Sequence, residues 1–180
     1  LVSVVIPARD AERYLAAALG SVLSQEGALL DVIVVDDAST DGTAAVAESF
    51  PGVRVARCPG GGAAAARNVG LAEARGELLA FLDADDLWAA GKIACQLEAL
   101  RTSPSASMAF GWVRPFVCEE TPEDVRATLR CPPEPRPGRC FGTLLATRRL
   151  MEEIGPLDES LRAGEFVDWY SRARASGAEE

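Results

Sequence analysis

The sequence predicts an α/β fold with a mostly parallel sheet and helices on both faces. Three observations carry this. Short β-branched runs that are apolar almost throughout recur, as in strands buried on both faces. Each is followed by a segment with helical spacing, so the connections are crossovers and the strands run parallel. Acidic residues gather where those strands stop, the edge at which open parallel sheets bind ligands.

Val2-Ser3-Val4-Val5-Ile6 is the first strand, and Pro7 is expected to end it. From Asp10, the spacing of Leu15, Ala18, Leu19 and Val22 predicts a helix. Val32-Ile33-Val34-Val35 is a second buried strand that stops at Asp36-Asp37. Ser39-Thr40-Asp41-Gly42 is turn and cap chemistry opening a helix through about Phe50. Val53-Arg54-Val55 reads as a third strand, the Ala-rich stretch from Ala63 to Arg75 as a helix, and Leu78 to Leu82 as a fourth strand ending at Asp83.

Beyond Trp88 the pattern is less regular. Trp88 to Arg101 predicts a helix, Ala106 to Val117 an extended strand, and Glu119 to Arg130 an acidic, then helical, segment. The Pro-rich stretch from Cys131 to Cys140 reads as a loop. Phe141 to Thr147 predicts a strand, Arg148 to Ile154 a short helix, and Gly164 to Ser176 a last helix with acidic residues at its start.

Composition excludes several functions. The 180 residues are 48% hydrophobic and 25% charged, a globular balance rather than a disordered one. A net charge of −9 argues against nucleic acid or anionic membrane as a partner. No apolar run approaches the roughly 20 residues that span a bilayer. The chain opens at Leu1 on a strand-like run, which reads as a trimmed chain with no signal peptide in view. With no His, every Ser-His-Asp and Cys-His nucleophile arrangement is excluded, so catalysis must rest on carboxylates, a metal, or both. The five cysteines form no CxxC pair and read as reduced thiols, although Cys131 and Cys140 flank a loop and could bridge under oxidation.

Three strand ends carry the candidate chemistry: Pro7-Ala8-Arg9-Asp10, Asp36-Asp37 and Asp83-Ala84-Asp85-Asp86. Carboxylates converging in this way repel one another, and a divalent cation relieves that. Oxygen ligands select Mg²⁺ or Mn²⁺, which bind one or two carboxylates plus substrate phosphates. Helix capping accounts for Ser39, Asp41 and Asp10, but not for the cluster after the most apolar strand. Pro59-Gly60-Gly61-Gly62 lacks the Lys-Ser/Thr ending of a phosphate loop and reads as a flexible turn. Arg67, among small residues early in its helix, can reach a diphosphate or an acidic pocket, or simply be solvated.

Four motifs in order, Val4-Val5-Ile6-Pro7, Val34 to Thr43, Ala66-Arg67-Asn68-Val69-Gly70-Leu71 and Ala80 to Trp88, closely resemble the nucleotide-binding half of family 2 glycosyltransferases. The resemblance implies a GT-A, Rossmann-like fold in one domain, with a nucleotide-sugar-binding half (1–88) and an acceptor-side half (89–180). It extends to Gly142-Thr143-Leu144-Leu145 and to Gly155 through Leu161, which look like the acceptor wall. It also implies Mn²⁺ or Mg²⁺, a UDP-sugar donor, a hydroxyl acceptor, inversion at the anomeric carbon, and a bacterial cytoplasmic enzyme that can sit peripherally at the inner membrane face.

Residue by residue, the resemblance puts Pro7, Ala8, Arg9 and Asp10 on the nucleotide, along with Asp36, Arg67, Asp83 and Ala84. Asp37 would take the N3 hydrogen of the base. Asp83 and Asp85 match the DxD positions, Asp85 as direct metal ligand and Asp83 nearer the ribose. The chain departs from the pattern at the base: where relatives have Glu-Asp, it has Glu165-Phe166, leaving Glu165 or Asp168 to serve. It also ends at Glu180, before a closing segment that many relatives add, as a C-terminally truncated chain would. Two other readings follow: a nucleotide-sugar-binding module without turnover, favoured by Phe166, and a phosphotransferase with Asp83 as nucleophile, disfavoured by Leu87.

Overall fold

The computed structural model describes residues 1–118 and 121–180. β1 (Val2–Ala8), α1 (Glu12–Leu23), β2 (Leu30–Asp37), α2 (Thr43–Glu48), β3 (Val53–Cys58), α3 (Gly62–Glu73) and β4 (Leu78–Phe81) alternate as expected. After them come α4 (Lys92–Thr102), β5 (Met108–Ala109), β6 (Trp112–Val113), α5 (Glu123–Arg126) and β7 (Arg136–Pro137). A 3-10 turn (Phe141–Thr143), β8 (Leu145–Thr147), α6 (Arg148–Ile154) and α7 (Glu165–Ala175) complete the chain.

The main sheet has the order β3-β2-β1-β4-β8-β5, with β1 to β4 parallel and β8 antiparallel to both of its neighbours. Strand alternation divides the core in two. Val2, Val4 and Ile6 pack with Val34, Leu82 and α1 on one face. Val5, Ile33, Val35 and Phe81 pack on the other against α3, α6 and α7. Helix α3 lies very close to the sheet, which explains its small side chains. A Cβ on Gly70 would come within 2.3 Å of Val5 Cγ1 and 3.1 Å of Val35 Cγ2.

Several expected boundaries are corrected. β1 runs through Pro7, which pairs with Val35; β4 leaves the ladder at Val5–Phe81, so the missing N–H breaks no pairing there. α4 starts at Lys92, because Gly91 before it holds a left-handed φ of 76°. The expected strand 106–117 splits into β5 and β6. Gly111 takes it out of the main sheet, donating its N–H to the Thr143 carbonyl while β6 pairs with β7. The first half of the expected strand 141–147 is wound into the 3-10 turn, where Thr143 Oγ1 donates to the Gly138 carbonyl. Within 119–130 the helix covers only Glu123–Arg126, and Glu119 and Glu120 lie outside the described residues.

One half-buried cation has consequences for stability. Lys92 Nζ donates to Gln96 Oε1 at 2.7 Å and sits 4.1 Å from the Trp88 ring centre. Burial, opposed by a weaker pull from Cys140, brings its pKa down from 10.5 to about 7. The folded pKa is the depressed one, so between pH 7 and 10.5 the unfolded chain holds more protons. Stability contributed by this site therefore rises with pH across that window. Urea unfolding at pH 7 and pH 9 should show this rise in the parent. In Lys92→Met it should be smaller, by up to about 2 kcal/mol. An identical pH slope in both proteins would place the ammonium in solvent.

Candidate nucleotide-sugar site

The loops after β1 and β2 are tied into one unit. The Asp10 N–H donates to Ser39 Oγ at 3.1 Å, and the Thr40 N–H donates to Asp10 Oδ1 at 2.7 Å. The Ala11 N–H donates to Thr43 Oγ1, and the Gly42 N–H to Glu12 Oε2. Ser39 and Asp10 thus cap each other's loops rather than their own helices, a correction to the capping expectation. Asp41 does both, accepting from the Thr43 and Glu12 N–H groups. Asp10 and Ala38 adopt left-handed φ values of 47° and 56°. Such strain is uncommon away from glycine and persists only where the surroundings hold it.

Asp37 closes the next corner. Its two oxygens accept the Gly61 and Gly62 N–H groups at 2.9 and 3.0 Å, and Arg9 Nη1 lies 3.8 Å away. Burial acts to raise its pKa. Bonds from Gly61, Cys58 and Gly62, with the charge of Arg9, overcome that and hold it below the ordinary carboxylate value. The Gly-rich turn is therefore pinned, not loose. A Cβ on Gly61 would meet Ala65 Cβ at 2.5 Å. Asp36 points elsewhere: its Oδ1 accepts from the Ser39 N–H and its Oδ2 pairs with Arg57 at 3.3 Å.

At the end of β4, Asp83 Oδ1 binds Arg67 Nη2 at 2.5 Å. The other terminal nitrogen of Arg67 binds Glu165 Oε1 on α7 at 2.7 Å. Arg67 thus joins Asp83 to Glu165. Asp168 is not brought to this group; it pairs with Arg172 at 2.8 Å, and Arg172 also bonds the Ile154 and Pro156 carbonyls. Phe166 packs among Phe110, Phe141, Trp169 and Tyr170, stacking on the last at 5.7 Å. Asp86 carries a pKa above the ordinary carboxylate value, through partial desolvation first and then the charges of Asp83 and Asp85.

A cavity of about 330 Å³ opens where these loops meet. Pro7, Ala8, Arg9, Asp10, Asp37, Asp83, Ala84 and Asp85 line it, together with Ala11, Tyr14, Gly62, Ala63 and Ala66. Asp36, Arg67, Glu165 and Asp168 are not on its wall. Tyr14, Gly62 and the α3 alanines were missed in the sequence. Their signals were present: Tyr14 follows Asp10 by one helical turn, and the glycines follow the third strand end.

Among the described residues no cluster of three or more acidic or Cys side chains could hold a metal by itself. Asp85 nevertheless suits a hard cation that takes most of its ligands from substrate. It is exposed on the cavity wall and has no side-chain partner among the described residues, whereas Asp83 is engaged by Arg67.

This geometry accords with what the chain is similar to. The family model "Glycosyl transferase family 2" matches residues 3–149. The Escherichia coli UDP-Glc:alpha-D-GlcNAc-diphosphoundecaprenol beta-1,3-glucosyltransferase WfgD is 38% identical over 103 residues, 56% of this chain and 41% of WfgD. The chain thus spans about two fifths of that relative's length. Two solved structures share the fold. The mannosyltransferase PcManGT from Pyrobaculum calidifontis, in complex with GDP-Man and Mn²⁺, aligns with a TM-score of 0.74 at 24% identity, covering 99% of this chain and 53% of that one. TarS (residues 1–349) of S. aureus with UDP gives 0.72 at 22%, covering 96% and 54%. The mostly parallel sheet is thus of the GT-A type, and the chain belongs to glycosyl transferase family 2.

Proposed function

We propose that this chain is the donor-binding and catalytic region of an inverting glycosyltransferase that uses a UDP-sugar and a divalent cation. The observation that carries the reading is the cavity itself, which gathers Pro7 to Asp10, Asp37, Asp83 and Asp85 from three strand ends. Asp37 accepts the base N3 hydrogen, Pro7 to Asp10 flank the nucleoside, and Asp83 with Ala84 faces the ribose. Mn²⁺ or Mg²⁺, held by Asp85, would neutralise charge on the departing diphosphate. Glu165, one guanidinium away from Asp83, removes the acceptor proton as the acceptor oxygen attacks the anomeric carbon and the bond to the diphosphate breaks. WfgD, by its name, uses UDP-Glc, and PcManGT was solved with Mn²⁺; both support the reading.

The test is thermal. UDP should raise the melting temperature appreciably only with Mn²⁺ or Mg²⁺ present, since ligands of the folded state stabilise it. Asp85→Asn should erase the metal-dependent part and leave the unliganded melting temperature unchanged. Equal stabilisation by UDP in excess chelator would sink the metal bridge. A second reading, a donor-binding module without turnover, is favoured by one observation. Phe166 fills the usual base position, and both neighbouring carboxylates are ion-paired.

A further inference from the structure

We propose that Arg67 is a positioning residue that holds Glu165 against the donor loop, and that it does not bind the nucleotide. The proposal rests on the reading of Glu165 as base. An arginine beside a diphosphate site would ordinarily be assigned to the phosphates. Here the guanidinium is buried, and both of its terminal nitrogens already face carboxylates.

Its side chain is only 5% exposed, against 44% for Asp83. Nη2 is taken by Asp83 and Nη1 by Glu165, while Nε is buried with no partner and so has no surface for a ligand to reach. One face lies 4.7 Å from the Phe141 ring centre. Phe141 in turn packs on Phe81, Phe166 and Trp169. The guanidinium is therefore held in plane by an aromatic wall and held at both ends by carboxylates. A planar fork with two terminal nitrogens spans two acids in one fixed geometry, which a lysine ammonium cannot reproduce.

The three elements it joins differ in role. α3 supplies Arg67, β4 ends at the donor-side Asp83, and α7 begins at Glu165. Gly164, left-handed at φ 87°, starts α7 without a side-chain cap. Among the described residues, Arg67 is the one side chain that hydrogen-bonds Glu165. The orientation of that carboxylate relative to the cavity is thus set by Arg67, and a misplacement of about 1 Å is worth about a hundredfold in rate.

The experiment is a mutant cycle of Arg67→Lys, Glu165→Gln and the double variant, reading transfer kinetics and UDP binding by calorimetry with Mg²⁺. A positioning role predicts that Arg67→Lys lowers kcat by about tenfold to a hundredfold. KM for the donor and Kd for UDP should stay within about twofold. On the Glu165→Gln background the lysine substitution should cost nothing further, because its effect passes through the missing carboxylate. A tenfold rise in the UDP Kd, or losses that multiply, would overturn the proposal.

Should Arg67→Lys not fold, the guanidinium ¹⁵N signals of the parent decide under titration with UDP and Mg²⁺. Signals that stay in place support the strut, and signals that shift as in direct phosphate contact overturn it. A parent that binds UDP yet transfers no sugar removes the base reading, and this proposal with it. Loss of UDP affinity in Arg67→Lys alone removes only the proposal.

Discussion

Glu165→Gln is expected to lower sugar transfer at least about a hundredfold with UDP affinity unchanged, the low end of what a lost general base costs. The substitution is geometrically mild. A glutamine side-chain oxygen can still accept from Arg67 Nη1, so the strut from Asp83 to α7 survives while the proton acceptor is lost. Donor affinity should survive too, because Glu165 is not on the wall of the cavity. Asp168→Asn is the control. Its carboxylate ties α7 to the loop after α6 through Arg172, so it should change stability modestly and transfer little. Normal transfer by Glu165→Gln with loss in Asp168→Asn would move the base one turn along α7. Equal inactivity of parent and both variants toward every donor tried would favour the module without turnover.

Much of this was legible in the sequence because the first half of the chain is locally consistent. Val2 to Ile6 and Val32 to Val35 are β-branched runs with nothing in them to compete with a strand, and the acidic residues after them could only fall at one edge of a parallel sheet. The second half is harder for a physical reason. β5 to β8 are two or three residues each, too short for a period to register, and their ends are set by Gly111 and by bonds to the Thr143 hydroxyl and carbonyl. These are contacts between distant residues, and no window of sequence contains them. The site divides the same way. Strand-end residues could be placed by topology alone, whereas the link from Arg67 to Glu165 spans 98 positions and exists only once α7 has docked on α3 and β4. Glycines signal freedom locally, so the Gly-rich turn reads as loose from its own residues. Asp37, 24 positions away, removes that freedom.

Asp37→Ala is expected to weaken UDP by about 1–3 kcal/mol, roughly five- to 150-fold, the usual consequence of removing one partner of a buried hydrogen bond. The Asp37 carboxylate can serve the base while it holds the turn. Its two oxygens offer about four acceptor sites, of which the Gly61 and Gly62 N–H groups and the Cys58 thiol use three, leaving one for the base. Two losses are therefore superimposed in the alanine variant: the base loses its acceptor, and two N–H groups of the cavity-lining turn lose theirs. They can be separated by comparing UDP with inorganic pyrophosphate, each with Mg²⁺. If Asp37 reads the base, UDP weakens and pyrophosphate does not, since pyrophosphate carries no N3 hydrogen to lose. If Asp37 only holds the turn, the cavity loosens for both ligands and they weaken together. Free Mn²⁺ affinity should hardly change in either case, because the cation is assigned to Asp85 on a different strand end. Unchanged affinity for UDP would remove Asp37 from donor binding altogether and shift base recognition to the Pro7 to Asp10 loop.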